Sequence, residues 1–185
     1  MKTSRLISLL IALSCLAGCA GKGGPGGPES EERTGPSFQG RHITVQEFGL
    51  AGASIHNPES TTAMGLAIAE QIAARLDALG IAAAAIPSRA TPPAGDVVVG
   101  GDVTLIEAGS RAQRYWVGFG AGAAKFGVRG WVRDGSPTDL ATFQRERWSG
   151  FGIFGGSSVN LVQQCMEAVA RDIAKMIETG KYTTH

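Results

Sequence analysis

The sequence predicts an α/β or α+β domain in which two helices pack on a mostly antiparallel sheet of about five strands, in the order β-α-β-β-β-β-α. Two stretches with apolar residues every three or four positions predict the helices, and short stretches that alternate apolar and polar residues predict the strands. The chain has 185 residues, of which 43% are hydrophobic and 18% are charged. This length and composition indicate one folded domain with additional segments and exclude a wholly disordered chain.

The first half of the predicted domain contains a strand, a helix and two further strands. Residues 41–48 alternate and predict the first strand. Asn57 and Pro58 provide a cap and a first-turn proline for a helix that Gly80 ends; its apolar stripe is Met64, Ile68, Ile72, Leu76 and Leu79. Residues 81–86 predict a short strand. Residues 96–107 predict a buried strand in which the pair Gly100-Gly101 indicates a bulge.

The second half contains a predicted hairpin and the last helix. Residues 125–133 alternate, and a turn over 134–137 leads to a partner strand over 140–148. The last helix is expected to begin near Ser157 or Ser158 and to end near Glu178. Its apolar stripe consists of Val162, Cys165 or Met166, Val169, Ile173, and Met176 or Ile177. Because Cys165 lies on that stripe, we expect it to be a small residue of the core.

The N-terminus has the pattern of a secretory signal. Lys2 and Arg5 precede an apolar run over residues 6–17, which is too short for a permanent membrane-spanning helix. A tether rich in glycine and proline follows, and it lacks the apolar periodicity of a folded segment. We therefore predict a signal peptide (1–18), a lipidated cysteine with its tether (19–37), one folded periplasmic domain (38–180) and a C-terminal tail (181–185).

The signal ends in Leu16, Ala17, Gly18 and Cys19, which resembles the lipobox of bacterial lipoproteins. The resemblance implies cleavage before Cys19, diacylglycerol on its sulfur and acylation (palmitate) of the new amino group, which together anchor the chain in a membrane. Ala20 follows where an aspartate would imply retention in the inner membrane, so the resemblance implies the outer membrane, facing the periplasm. An ordinary signal peptide with a cysteine at its junction is the alternative.

The chain has 17 basic and 16 acidic residues, a net charge of +1. Removal of the signal leaves 15 basic and 16 acidic residues, a net charge of −1, which gives no reason to expect a nucleic-acid partner. Among the three cysteines, Cys165 remains as the free thiol of the mature chain, so neither a disulfide framework nor a zinc motif is expected.

The segment over residues 109–124 is unusually rich in glycine. Its spacing lacks the dinucleotide fingerprint and the Gly-Lys-Ser/Thr of a phosphate loop, so no nucleotide is expected. We regard a candidate contact loop as the best interpretation, because small residues let another backbone approach closely; it comprises Arg111, Arg114, Gly118, Gly120 and Gly122. The uncharged run over 115–124 is interpreted as a turn or loop buried against the sheet, with a membrane-inserting strand as the alternative.

Arg129, Trp131 and Arg133 share one side of the predicted 125–133 strand and form a candidate surface patch. Arginine beside tryptophan can bind anionic sugars or phosphates, although cross-strand stacking on a solvated sheet is commoner. The sequence has no nucleophile elbow, no catalytic acid pair and no histidine in metal-ligand spacing. We therefore expect no enzymatic activity, no catalytic residues, no metal and no cofactor beyond the lipid on Cys19.

A family resemblance covers roughly residues 41–178. The segments Gly101-Asp102-Val103, Gly109-Ser110-Arg111, Arg114 and Gly118-Phe119-Gly120-Ala121-Gly122 resemble the G-x-R…R…G-F-G-A-G signature of an uncharacterised domain family of bacterial lipoproteins, a domain of unknown function. In layout the chain is also similar to the periplasmic domain of curli-secretion lipoproteins and to the N-terminal domain of Tol-associated proteins.

These resemblances imply a non-enzymatic binding or assembly module of the cell envelope. The expected partners are the membrane, through the lipid anchor, and another envelope protein or a second copy of the chain. The alternative is a subunit of an oligomeric export pore or of a secretion-associated lipoprotein complex.

Overall fold

Two helices pack on one face of a mixed β-sheet in the computed structural model, which describes residues 31–56, 63–109, 123–149 and 158–184. The elements in chain order are β1 (Glu31–Thr34), β2 (Ile43–Gln46), β3 (Ser54–His56), α1 (Met64–Ala78), β4 (Ala83–Ile86), β5 (Val97–Glu107), β6 (Lys125–Arg133), β7 (Ala141–Trp148), α2 (Ser158–Thr179) and β8 (Lys181–Thr184).

The main sheet has six strands, in the order β4-β2-β5-β6-β7, with β3 pairing beside β5. β2 runs parallel to both β4 and β5, and β3 is also parallel to β5. β5, β6 and β7 form an antiparallel meander. The predicted α+β architecture of two helices on one sheet is confirmed, and the parallel pairs make the sheet mixed.

The core lies between the sheet and the helices, because one side of each element is apolar. Ile68, Ile72 and Leu76 of α1 are fully buried, as are Val169 and Ile173 of α2. The helices contact each other; α1 lies over β2 and β4, and α2 lies over β6 and β7. Burial of these side chains is the main contribution to the stability of the domain, at about 25 cal/mol per Å² of apolar surface.

The structure confirms the predicted core position of Cys165. Its side chain is buried and its sulfur lies 3.6 Å from the Ala124 carbonyl oxygen. Burial raises the pKa of the Cys165 thiol to about 11. The thiol therefore behaves as a small apolar residue that is protonated at neutral pH.

Two details of the predicted elements differ in the structure, and a third lies outside the described residues. Leu79 is 39% exposed, because α1 ends at Ala78 and the chain turns away at Gly80, which has a φ of +79°. The helix cap predicted at Asn57 and Pro58 lies outside the described residues. β3 is a strand of three residues that the sequence pattern did not indicate.

The bulge predicted at Gly100-Gly101 is wrong. Both glycines pair in register, and the irregularity of β5 lies between Val103 and Leu105. The glycines are needed for close packing: a Cβ on Gly101 would overlap the Arg129 carbonyl oxygen, and a Cβ on Gly100 would lie 2.6 Å from the Trp131 ring.

The N- and C-terminal parts of the described chain form a structure that we call the clasp, residues 31–38 with 180–184. β1 pairs antiparallel with β8, and the Gly35 amide donates to the Gly180 carbonyl at 2.6 Å. The Tyr182 side chain is 2% exposed and its hydroxyl donates to the Pro36 carbonyl at 3.1 Å. Part of the segment interpreted as a tether, and most of the tail at 181–185, therefore belong to the ordered chain.

Candidate interaction surface

The sheet face that points away from the helices carries most of the aromatic and charged side chains of β5, β6 and β7. Alternation along each strand sends Phe126, Val128 and Val132 into the core and the intervening side chains outward. We call this surface the open face; it comprises Asp102, Glu107, Lys125, Arg129, Trp131, Arg133, Glu146 and Trp148, with Gly100 and Gly127 as its floor. Neither of the two described helices covers it.

The structure brings two members of the predicted surface patch into contact. Trp131 lies over Gly100, its partner across the β5–β6 ladder, and the guanidinium carbon of Arg133 is 3.8 Å from the centroid of the Trp131 ring. Arg133 also forms an ion pair with Asp139 at 2.5 Å. The side chain of Arg129, the third member, makes no ion pair or hydrogen bond with any described residue.

A second aromatic group lies at the other end of the same face. Lys125 Nζ is 5.0 Å from the centroid of the Trp148 ring and 2.9 Å from Glu107 Oε2. The indole N–H of Trp148 donates to Glu146 at 2.6 Å, and 66% of the residue remains exposed. Sequence reasoning missed this group, because its members meet only through the cross-strand register of β5, β6 and β7.

The charges of the open face are divided by strand. β5 contributes Asp102 and Glu107, whereas β6 contributes Lys125, Arg129 and Arg133. Asp102 lies opposite Arg129 in the ladder, and within the described chain neither charge has a hydrogen-bond or ion-pair partner. Asp102 lies over Gly49, where a Cβ would meet its carboxylate. The centre of the face therefore presents one exposed anion beside one exposed cation.

A polar cluster joins the beginnings of β2 and β5, with Thr44 and Asp96 buried and His42 exposed to solvent. Asp96 Oδ2 accepts a hydrogen bond from the Thr44 hydroxyl at 2.5 Å and lies 2.7 Å from His42 Nδ1. The hydrogen bonds from Thr44 and then His42 lower the pKa of Asp96. Thr44 and His42 contact the same carboxylate oxygen, so the hydroxyl donates to Asp96 and not to the imidazole. This geometry differs from that of a catalytic triad and instead connects two parallel strands.

Several residues singled out from the sequence lie outside the described residues: Leu16, Ala17, Gly18, Cys19, Arg111, Arg114, Gly118, Gly120 and Gly122. The described ends of the candidate contact loop are nevertheless informative. Glu107, Lys125 and Trp148 lie in one cross-strand row, with His56 beside Glu107. The segment 110–122 is therefore attached at the end of the sheet that carries Trp148.

Two further results concern the described part of the chain alone. Within it, no cluster of three or more histidine, cysteine or carboxylate side chains could hold a metal ion. None of its helices has the length and apolar character needed to cross a membrane.

The fold is shared with proteins of known structure. PelC from Paraburkholderia phytofirmans, solved as a dodecamer, matches with a TM-score of 0.55 and 16% identity, covering 81% of this chain and 97% of PelC. A point-mutant form of that PelC, also a dodecamer, matches with a TM-score of 0.58 and 16% identity, covering 82% and 98% of the two chains. No curated protein matches the sequence significantly.

The family of the chain follows from its sequence. The profile of the family described as "Domain of unknown function (DUF4410)" matches residues 43–152, which is more than half of the chain and extends from β2 through β7. The matched range contains every residue of the open face. This chain is a member of the DUF4410 family.

Proposed function

We propose that this chain is an outer-membrane lipoprotein, anchored through Cys19, whose periplasmic domain acts by assembling with copies of itself. The observation that carries the proposal is the fold shared with PelC over almost the whole PelC chain, because both PelC structures are dodecamers. The open face supports it as well, since a sheet face that neither described helix covers and that carries tryptophan and arginine side chains has the composition of an interface.

The proposed role is non-enzymatic. The polar side chains of the open face are spread over a sheet, and apart from Asp102 and Arg129 they pair with described neighbours, whereas a catalytic site needs groups that converge on one reacting atom. The polar cluster at Asp96 has a structural role in β2 and β5. The domain then contributes shape and contacts to an envelope assembly, in which another envelope protein is the further partner.

A second candidate function is that of a subunit in an oligomeric export pore or secretion-associated lipoprotein complex. The dodecameric state of PelC favours it, because many identical subunits that associate head to tail and close on themselves surround a central opening. In that arrangement the run over 115–124 is available to contact the bilayer.

Anchoring is tested by metabolic labelling with an alkyne fatty acid in cells that express the full chain. We expect label on the wild type and none on Cys19→Ala. Cys165→Ala is the matched control and should label like the wild type, because Cys165 is buried in the domain. Label that persists on Cys19→Ala would contradict the lipoprotein assignment.

Self-assembly is tested by native mass spectrometry of the lipoprotein extracted in mild detergent, together with crosslinking in intact cells. We expect a mass that is a multiple of the mature chain by both methods. A monomer in both experiments at native abundance refutes the proposal. The pore is tested separately by proteolysis in the tether: release of a water-soluble oligomer supports assembly without insertion, and retention in the membrane supports the pore.

A further inference from the structure

The two outer strands of the sheet are protected against extension by a second copy. On β4, Asp77 accepts the Ala83 amide at 2.9 Å, and Pro87 follows the strand without an amide to donate. On β7, the Arg145 guanidinium donates to the Gln144 carbonyl at 2.8 Å, and charged side chains line the edge. Such features are typical of edges that avoid strand addition, so we do not expect copies of this chain to meet through the edge of β4 or of β7.

We infer that the open face binds the open face of a second copy around a two-fold axis, with each Arg129 forming an ion pair with the partner's Asp102. This inference rests on the proposed self-assembly and names one contact within it. A contact around a two-fold axis is complete in a dimer, so a larger closed oligomer needs a second kind of contact as well.

The charge pattern of the open face favours a second copy of the chain as its partner. Among the charged side chains of the open face, those of β5 are all carboxylates and those of β6 are all cations. A two-fold axis parallel to the strands and midway between β5 and β6 places β5 of each copy over β6 of the other. Asp102 then faces the partner's Arg129, and Glu107 faces the partner's Lys125. Four of the five charges on these two rows then meet one of opposite sign; Arg133, which lies opposite Val98 in the ladder, keeps its ion pair with Asp139 of its own chain.

The same charge pattern makes a charged polymer an unsuitable ligand for the open face. β5, β6 and β7 together contribute three cations (Lys125, Arg129 and Arg133) and three carboxylates (Asp102, Glu107 and Glu146) to the face. A polyanion or a polycation would meet equal numbers of attractive and repulsive charges. A second copy turned by a two-fold axis meets attractive charges, because electrostatic complementarity determines which surfaces associate.

The size and packing of the face suit such a contact. β5, β6 and β7 are about 30 Å long, β2 and β4 are about 13 Å long, and neighbouring strands lie about 4.8 Å apart. Together they give roughly 550 Å² per copy, or about 1,100 Å² over two copies, which is just above the roughly 1,000 Å² that a specific interface buries. Gly100 and Gly127 keep the centre of the face flat, so two sheets can approach to about 10 Å.

The test uses charge reversal in the full-length lipoprotein. Arg129→Asp places two carboxylates opposite each other in a homotypic contact, and Asp102→Arg places two cations there. Each variant alone should lose the open-face contact and at least halve the mass measured by native mass spectrometry in detergent. Arg171→Asp, on the exposed surface of α2, is the matched control and should retain the wild-type mass. Circular dichroism melting establishes that each variant is folded.

Two complementation experiments distinguish a two-fold contact from a general charge effect. Cells that co-express Arg129→Asp and Asp102→Arg chains with different affinity tags should yield mixed oligomers, because each reversed charge then faces its opposite. The double variant Asp102→Arg/Arg129→Asp should likewise regain the wild-type mass.

The possible outcomes separate this inference from the proposed function. A wild-type oligomer that Arg129→Asp leaves intact overturns the inference and leaves self-assembly standing. Loss of assembly in the single variants without recovery by co-expression also overturns it. A wild type that is monomeric in detergent and in cells overturns both.

Discussion

Replacing Tyr182 with alanine should open the clasp between the two ends of the described chain. The Tyr182 side chain is almost fully buried and burial raises the pKa of its hydroxyl above the ordinary value. Removing a buried aromatic ring costs about 3–4 kcal/mol of unfolding free energy, whereas Tyr182→Phe removes only the hydrogen bond to Pro36 and should cost about 1 kcal/mol.

Gly35 provides an independent test of the same contact. A Cβ on Gly35 would lie 2.5 Å from one carbon of the Tyr182 ring and 2.6 Å from another. Gly35→Ala should therefore cost about 1–3 kcal/mol in the wild type, because the ring has to shift. In the Tyr182→Ala background the ring is gone, so the same substitution should cost less than about 0.5 kcal/mol.

Urea unfolding followed by circular dichroism gives the four free energies of this double-mutant cycle. Limited proteolysis with mass spectrometry then shows whether cleavage begins within residues 31–38, as local opening of the clasp requires. If Gly35→Ala lowers the unfolding free energy equally in the wild type and in Tyr182→Ala, the contact between Gly35 and the Tyr182 ring is refuted. Refutation would also follow if Tyr182→Ala were no more destabilising than Tyr182→Phe.

Three further predictions concern the core and the polar cluster. Gly101→Ala should lower the unfolding free energy by about 2 kcal/mol, because the added Cβ overlaps the backbone of β6. Gly127→Ala should lower it clearly less, because a Cβ there meets only side chains, at 3.0 Å or more. Urea titrations of both variants measure the difference. Hydrogen bonds, above all from Thr44, lower the pKa of Asp96 in the folded chain. The ionised carboxylate therefore stabilises the fold fully above about pH 4, the pKa of an unfolded aspartate, and this contribution is lost as the pH falls through the lower pKa of the folded state. Asp96→Asn should flatten that loss, as urea midpoints measured between about pH 5 and pH 2 would show. Because burial raises the pKa of Cys165 to about 11, iodoacetamide at neutral pH should alkylate it in urea and leave it unmodified in the folded chain, as intact mass measures.

The helices and the meander could be predicted because their information is local. A stripe such as Ile68, Ile72 and Leu76 lies within one segment and specifies its own buried side. β5, β6 and β7 follow one another along the chain, and consecutive strands usually pair. The alternation of residues 125–133 also predicts that Arg129, Trp131 and Arg133 share the outer side of β6, whichever strands pair with it.

Pairing between distant segments could not be predicted in the same way. Alternation indicates that a strand is half-buried, and it does not specify the neighbouring strand. The parallel pairing of β2 with β5 brings Thr44 to Asp96, residues that are 52 positions apart. β1 and β8 consist mostly of residues with charged and hydroxyl side chains, which do not predict a strand. They form strands because they pair with each other and because Tyr182 is buried.

The candidate site was likewise predictable only in the part that depends on local sequence. The residue types on β6 indicated a surface patch, but the division of charge between β5 and β6 depends on register. Asp102 faces the open side because the irregularity of β5 comes after it, between Val103 and Leu105. Had the bulge been at Gly100-Gly101, the side chains beyond it would have changed faces, and Asp102 would not lie opposite Arg129.

The clasp also changes what the tether can do. If Cys19 carries the lipid that the sequence predicts, eleven residues (20–30) separate it from β1, and a glycine-rich chain of that length spans about 18 Å on average. The three long strands, β5, β6 and β7, are about 30 Å long, so a tether of that length is shorter than the domain it holds. A domain held so closely samples few orientations relative to the membrane. Open faces of neighbouring copies then meet at a raised effective concentration and in a restricted set of orientations, which lowers the entropic cost of their association.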